Sequence, residues 1–135
     1  MGTSRRDVLR GTSHRDVICG LGGNDVLIGG PGSDRLVGGP GRDTLIGQNG
    51  ADLILGRKGA DRIRGGPGAD RLDGGSGNDL LNGDAGADYL DGGPGGDLLM
   101  GGRGNDFLVG RDARDRVHGG AGTDLCWTKA VGICL

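Results

Sequence analysis

Residues 29–46 read GGPGSDRLV and then GGPGRDTLI, one nine-residue phrase written twice with Gly, Asp and an aliphatic residue held at fixed places. Outward from there, Asp recurs at 7, 16, 25, 34, 43, 52, 61, 70, 79, 88, 97, 106, 115 and 124, a spacing of nine kept without one insertion. In units that begin at Gly2, Gly11, Gly20 and so on to Gly119, the first position is Gly in 14 of 14 and the sixth is Asp in 14 of 14. The fourth is Gly in 11 of 14, and the eighth is aliphatic in 13 of 14, with Cys126 in the last. The fourteen units fill residues 2–127 as one repeat domain, and residues 128–135 follow as a tail expected to cap the open end. A fixed short period marks a repeat architecture, in which each unit buries its apolar face only against its neighbours.

The composition is intelligible only through that period. With 35 Gly and 4 Pro in 135 residues, an aperiodic chain would class as low complexity. Gly does not recur at every third residue, which excludes collagen. Hydrophobic residues are 33% and aromatics 2%, below the roughly 45–50% apolar content of ordinary domains, so any core must be thin. All 18 acidic residues are Asp, and 14 of the 16 basic residues are Arg, a one-sided usage that suggests carboxylates placed for geometry. No apolar run is long enough to span a membrane, and the N-terminal MGTSRRDVLR lacks the apolar segment of a signal peptide, so any export is expected to use another route.

The units GGPGSDRLV (29–37), GGSGNDLLN (74–82) and GGRGNDFLV (101–109) resemble the GGxGxDxUx nonapeptide of RTX, or hemolysin-type, calcium-binding proteins, and the likeness runs through 126 of the 135 residues. The resemblance implies an all-β fold: a right-handed parallel β-roll of tandem nonapeptides, two per turn, about seven turns long. It further implies that the first six residues of each unit form a Ca²⁺-binding turn and the last three a short strand.

Residue chemistry points the same way. In an x-U-x strand the middle side chain faces one side and its neighbours the other, so Leu27, Leu36, Leu45, Ile54, Ile63, Leu72, Leu81, Leu90, Leu99 and Leu108 are expected to stack inward. With two units per turn, Asp stands over Asp at the strand spacing of about 4.8 Å, where like charges repel by roughly 3 kcal/mol per neighbouring pair. A cation is needed between them. Carboxylates and carbonyls in flexible Gly-rich loops suit Ca²⁺, whereas Mg²⁺ demands a tighter octahedron and Zn²⁺ prefers His or Cys.

The candidate metal carboxylates are Asp25, Asp34, Asp43, Asp52, Asp61, Asp70, Asp79, Asp88, Asp97, Asp106 and Asp124. The full GGxGxD loops add Gly29, Gly30 and Gly32; Gly38, Gly39 and Gly41; Gly65, Gly66 and Gly68; Gly74, Gly75 and Gly77; Gly92, Gly93 and Gly95; and Gly101, Gly102 and Gly104, whose carbonyls can approach an ion closely. Twelve gaps separate units i and i+2. Units one, two and thirteen carry Arg5, His14 and Ala113 where the motif has Gly; removing the three gaps they touch leaves nine, so about 9–12 Ca²⁺ ions are expected. Asp7, Asp16 and Asp115 are then weak ligands or end caps. Asp73, Asp84, Asp91 and Asp112 fall off the register and are expected on the solvated surface.

The remaining features carry less. His14 and His118 lie far apart, and no Ser/His/Asp or Cys/His constellation can be assembled, so no enzyme is expected. Cys19 and Cys126 are too far apart to bridge within one roll; Cys126 with Cys134 remains open, as do free thiols. Outward apolar residues such as Val26, Leu53, Phe107 and Trp127 either dock a partner, for instance another β-roll, or are isolated residues of high β-propensity. The expected function is calcium binding coupled to folding, outside the cell, as a secreted or surface protein. The alternative is a Ca²⁺-dependent cell-surface or polyanion-binding module, in which Arg62, Arg64 and Arg71 meet an extracellular polyanion and specific nucleic-acid recognition plays no part.

Overall fold

Every x-U-x triplet becomes a strand in the computed structural model, which describes residues 1–129. The strands are β1 (Val8–Arg10), β2 (Val17–Cys19), β3 (Val26–Ile28), β4 (Arg35–Pro40), β5 (Thr44–Ile46), β6 (Leu53–Lys58) and β7 (Arg62–Pro67). They continue as β8 (Arg71–Ser76), β9 (Leu80–Ala85), β10 (Tyr89–Gly93), β11 (Leu98–Arg103), β12 (Phe107–Gly110), β13 (Arg116–Ala121) and β14 (Leu125–Trp127). Odd-numbered strands form one seven-stranded sheet and even-numbered strands the other, each in chain order. All pairings are parallel and, apart from Gly93↔Gly110 after a register shift in β10, join residues eighteen apart, as in Leu27↔Leu45 and Leu72↔Leu90. One turn is therefore two nonapeptides, and the fold is an all-β parallel β-roll of about seven turns.

The eighth residue of each unit points between the sheets. Leu27, Leu36, Leu45, Ile54, Leu72, Leu81, Leu90, Leu99 and Leu108 are fully buried, Ile63, Val117 and Ile18 nearly so, and Leu9 and Cys126 pack against the two ends of this column. Among the described residues the core is thus one side chain per unit, aliphatic in all but the last, with Val109 buried beside it. Many strands are longer than the expected triplet, because pairing resumes after the first residue of the following unit, as in Gly39↔Arg57 and Pro40↔Lys58. The loop backbone thus belongs to the ladder as well.

The outer faces differ from expectation in one respect. Asp91 is buried rather than solvated, and its carboxylate takes two hydrogen bonds from Arg111, Nε at 2.8 Å and Nη2 at 2.5 Å. Asp84 pairs with Arg64, and Asp112 with Arg114. Residues twenty apart meet because one turn consumes eighteen and the loop two more, so an outward side chain at a strand's end reaches the second loop position one turn on. On the even sheet Tyr89 and Phe107 stack at 5.4 Å, and the Arg71 guanidinium lies 4.6 Å from the Tyr89 ring centre. Leu125 and Trp127 stay exposed. Cys19 and Cys126 sit on strands at opposite ends of the even sheet, and Cys19 is a free thiol. Cys134 and most of the expected capping tail lie outside the described residues.

Candidate metal centre

The sixth residue of each unit stands just before its strand, so the fourteen Asp line the two edges of the roll in columns of seven. Within each column the backbone N–H of one Asp donates to Oδ1 of the Asp eighteen residues on, at 2.8–2.9 Å, from Asp7→Asp25 and Asp16→Asp34 through Asp97→Asp115 and Asp106→Asp124. Asp61→Asp79 and Asp70→Asp88 are typical interior rungs at 2.8 Å. From Asp25 and Asp34 onward, one carboxylate oxygen per Asp is therefore committed to the scaffold, which fixes the rotamer and aims the other.

That other oxygen has no protein partner in ten units. Oδ2 of Asp25, Asp34, Asp43, Asp52, Asp61, Asp70, Asp79, Asp88, Asp97 and Asp106 is buried without a hydrogen bond. Leaving a buried polar atom unpaired costs roughly 1–3 kcal/mol, and more when it is charged, so ten in register call for a ligand. Asp124, in the last turn, is partly exposed and stands outside this set.

The surroundings of each Oδ2 are oxygen-rich and shaped by the unit's first glycine. A Cβ at Gly74 would lie 2.6 Å from Asp79 Oδ2 and 2.7 Å from the Gly92 carbonyl oxygen; one at Gly29 would lie 2.5 Å from Asp34 Oδ2 and 2.8 Å from the Gly47 carbonyl. The same first-position cradle faces Asp Oδ2 at Gly38, Gly65, Gly92 and Gly101. A carboxylate oxygen and a carbonyl oxygen converge where a side chain would otherwise be, a hard donor set suited to Ca²⁺. Among the described residues no three His, Cys, Asp or Glu side chains cluster, and the oxygen beside Asp79 Oδ2 and Asp34 Oδ2 is a backbone carbonyl.

Burial pushes these carboxyls up, to about 7 for Asp70 and Asp79 and about 6 for Asp61, Asp88 and Asp97. Asp43, Asp52 and Asp106 move the same way. In each, the N–H received from the Asp one turn earlier pulls the other way, and repulsion from Asp neighbours adds to the rise. The protein alone thus gives these carboxylates too little stabilisation to keep them all ionised near neutral pH.

The family model of the RTX calcium-binding nonapeptide repeat, four copies long, matches residues 1–27, 28–63, 56–90, 64–99 and 91–126. The chain belongs to this family. No curated protein matches it. An RTX roll binds Ca²⁺ as a structural module, and the ten unpartnered oxygens of this one fit that ion.

The remaining candidate residues of this RTX roll serve the turn itself. The second-position glycines Gly30, Gly39, Gly66, Gly75, Gly93 and Gly102 all have positive φ, but so do Leu21, Gln48, Arg57 and Asp84, so the loop holds its shape in units that lack the second Gly. The fourth-position glycines Gly32, Gly41, Gly68, Gly77, Gly95 and Gly104 have positive φ too, and a Cβ there would press on the fourth-position carbonyl of the turn before. Clearance between turns, more than reach towards an ion, dictates that glycine. Arg5 and His14 stand in the first described turn and themselves present the carbonyls that Gly23 and Gly32 face.

Three loops differ. Asp7 Oδ2 accepts the Thr3 N–H at 2.6 Å and the Thr3 hydroxyl at 2.8 Å. Asp16 Oδ2 accepts the Thr12 N–H at 2.6 Å and its hydroxyl at 3.0 Å. Asp115 Oδ2 accepts the Asp112 N–H at 2.8 Å. In units one and two the informative residue is Thr in the second position, a β-branched side chain where units three to twelve have positive φ; in unit thirteen Arg111 stands second and the donor is the Asp112 N–H.

Proposed function

We propose that this protein is a calcium-responsive β-roll, poorly structured when Ca²⁺ is scarce, that folds outside the cell where Ca²⁺ is millimolar. The observation that carries the reading is the set of ten buried Oδ2 atoms with no donor of their own. Closing the roll strips water from ten carboxylates, and a bound cation repays that desolvation, so binding and folding share one free energy. The ligands are Oδ2 of the ten interior Asp with nearby first-position Gly carbonyls, each ion lying between units i and i+2. Secretion or surface display is part of this proposal.

The polyanion alternative has weaker support. Arg64 is paired with Asp84 and Arg71 rests on Tyr89, so two of the three arginines invoked for it already have partners. The calcium reading is tested by circular dichroism of the full chain with Ca²⁺ and with chelator. A β-sheet spectrum that appears only with Ca²⁺ supports it; an equally β-rich spectrum in both buffers overturns it.

A further inference from the structure

We infer that units one and two are built as metal-free caps, in which Thr3 and Thr12 supply from the chain what Ca²⁺ supplies to the ten interior carboxylates. The inference rests on the calcium reading above and adds which gaps stay empty and what empties them.

The contrast begins with one backbone angle. In units three to twelve and fourteen the second residue has positive φ, whether it is Gly or one of Leu21, Gln48, Arg57 and Asp84. In that conformation its N–H serves the next turn: Gly30 donates to the Gly47 carbonyl at 3.0 Å and Gln48 to the Gly65 carbonyl at 2.9 Å. Thr3 and Thr12 do not share the positive φ, which β-branched residues strongly resist. Their N–H groups turn inward instead and meet Oδ2 of the Asp four residues on. Each threonine hydroxyl completes the cap, donating to the same Oδ2 and accepting the N–H of Arg5 or His14, at 3.1 and 3.2 Å. An oxygen that already holds two donors in a closed ring offers an ion little.

The fourth-position residues do not explain the difference. Arg5 and His14 enter the cap only through their backbone N–H groups, which glycine also carries, so restoring Gly there leaves the cap intact. Unit thirteen reaches a related end by another route, with the Asp112 N–H on Asp115 Oδ2, but Asp97 in the gap below it keeps an unpartnered Oδ2. That gap therefore stays in the metal-binding tract, and the two gaps above Thr3 and Thr12 leave it.

The test counts Ca²⁺ on the intact chain by native mass spectrometry in Ca²⁺-containing ammonium acetate. The unmodified protein is expected to hold about ten ions, one for each unpartnered Oδ2. Thr3→Gly with Thr12→Gly should add two. Thr3→Val with Thr12→Val keeps β-branching and the inward N–H, and Arg5→Gly with His14→Gly keeps the whole cap; neither should change the count. Twelve ions on the unmodified chain, a gain from Arg5→Gly with His14→Gly, or no gain from the folded Thr→Gly pair would each overturn the inference. If the Thr→Gly pair does not fold, the counts on the unmodified chain and on the Arg5→Gly, His14→Gly chain decide it alone. Absence of bound Ca²⁺ from every chain would overturn the calcium reading itself, a result separate from any of these.

Discussion

Asp79 in unit nine and Asp7 in unit one occupy the same place in the same phrase, yet their carboxylates live differently. Oδ1 of Asp79 accepts the Asp61 N–H, and its Oδ2 is buried beside the Gly74 backbone with no donor. Asp7 is partly exposed, and its Oδ2 takes both the N–H and the hydroxyl of Thr3. The motif residue is identical. What differs is whether the local chain supplies donors to the second oxygen, so on the calcium reading proposed above an Asp in this repeat is a ligand by default of donors and not by identity alone.

That comparison is broken most directly by removing each carboxylate. Asp79→Ala deletes a proposed ligand from the middle of one column, and in Ca²⁺ it should destabilise the roll by roughly 2–4 kcal/mol and abolish about one bound ion. Asp7→Ala removes only a capping acceptor in the first turn, worth about 1 kcal/mol, with the ion count unchanged. Thermal melts in Ca²⁺ with ion counting measure both, and equal losses would erase the distinction.

Acidity sharpens it next. Asp70 and Asp79 are raised to about 7 in the folded chain against an ordinary value of 3.8. A group whose pKa is higher folded than unfolded favours the fold while protonated, so its contribution is fully present below 3.8 and is lost as pH rises through about 7. In calcium-free buffer the roll should therefore gain β-structure on going from pH 8 to pH 5. With limiting Ca²⁺ the sign reverses, because protons compete for the carboxylates and affinity falls over the same range. Circular dichroism against pH at the two calcium levels checks both; parallel curves would show that these columns do not set the charge balance.

The smallest effects separate the two ion pairs around unit thirteen. Arg111→Ala leaves the buried Asp91 carboxylate without its bidentate partner and should cost roughly 1–2 kcal/mol. Arg114→Ala breaks only the exposed contact with Asp112 at 3.3 Å and should leave the melting temperature unchanged. Equal melting shifts would mean that the burial of Asp91 has no energetic weight.

The strand spacing, the aliphatic column and the two Asp columns all follow from a nine-residue phrase in which the eighth residue is apolar and the sixth is Asp. Such periodicity acts along the chain, and the alternation of side chains in a strand converts it directly into an inside and an outside. Val8, Val17 and Leu125 are exposed, and Leu27, Leu36 and Leu108 buried, as that alternation requires. The extension of strands into the following loop was less legible, since pairings such as Gly39↔Arg57 involve residues with no strand propensity of their own.

By itself the sequence determined that this chain is a nonapeptide roll with carboxylates along its edges, because every unit repeats the same local chemistry. Only the tertiary structure decided which oxygen of each interior Asp is already filled, why the fourth glycine is needed, and which off-register Asp is buried, because each of those depends on a group eighteen or twenty residues away. The Asp61 N–H fills one oxygen of Asp79, the Gly32 carbonyl forbids a side chain at Gly50, and Arg111 covers Asp91. A hydrogen-bond donor or a steric wall brought in by the adjacent turn leaves no mark on the unit it acts upon. The winding of two units per turn had to be in place before those neighbours existed.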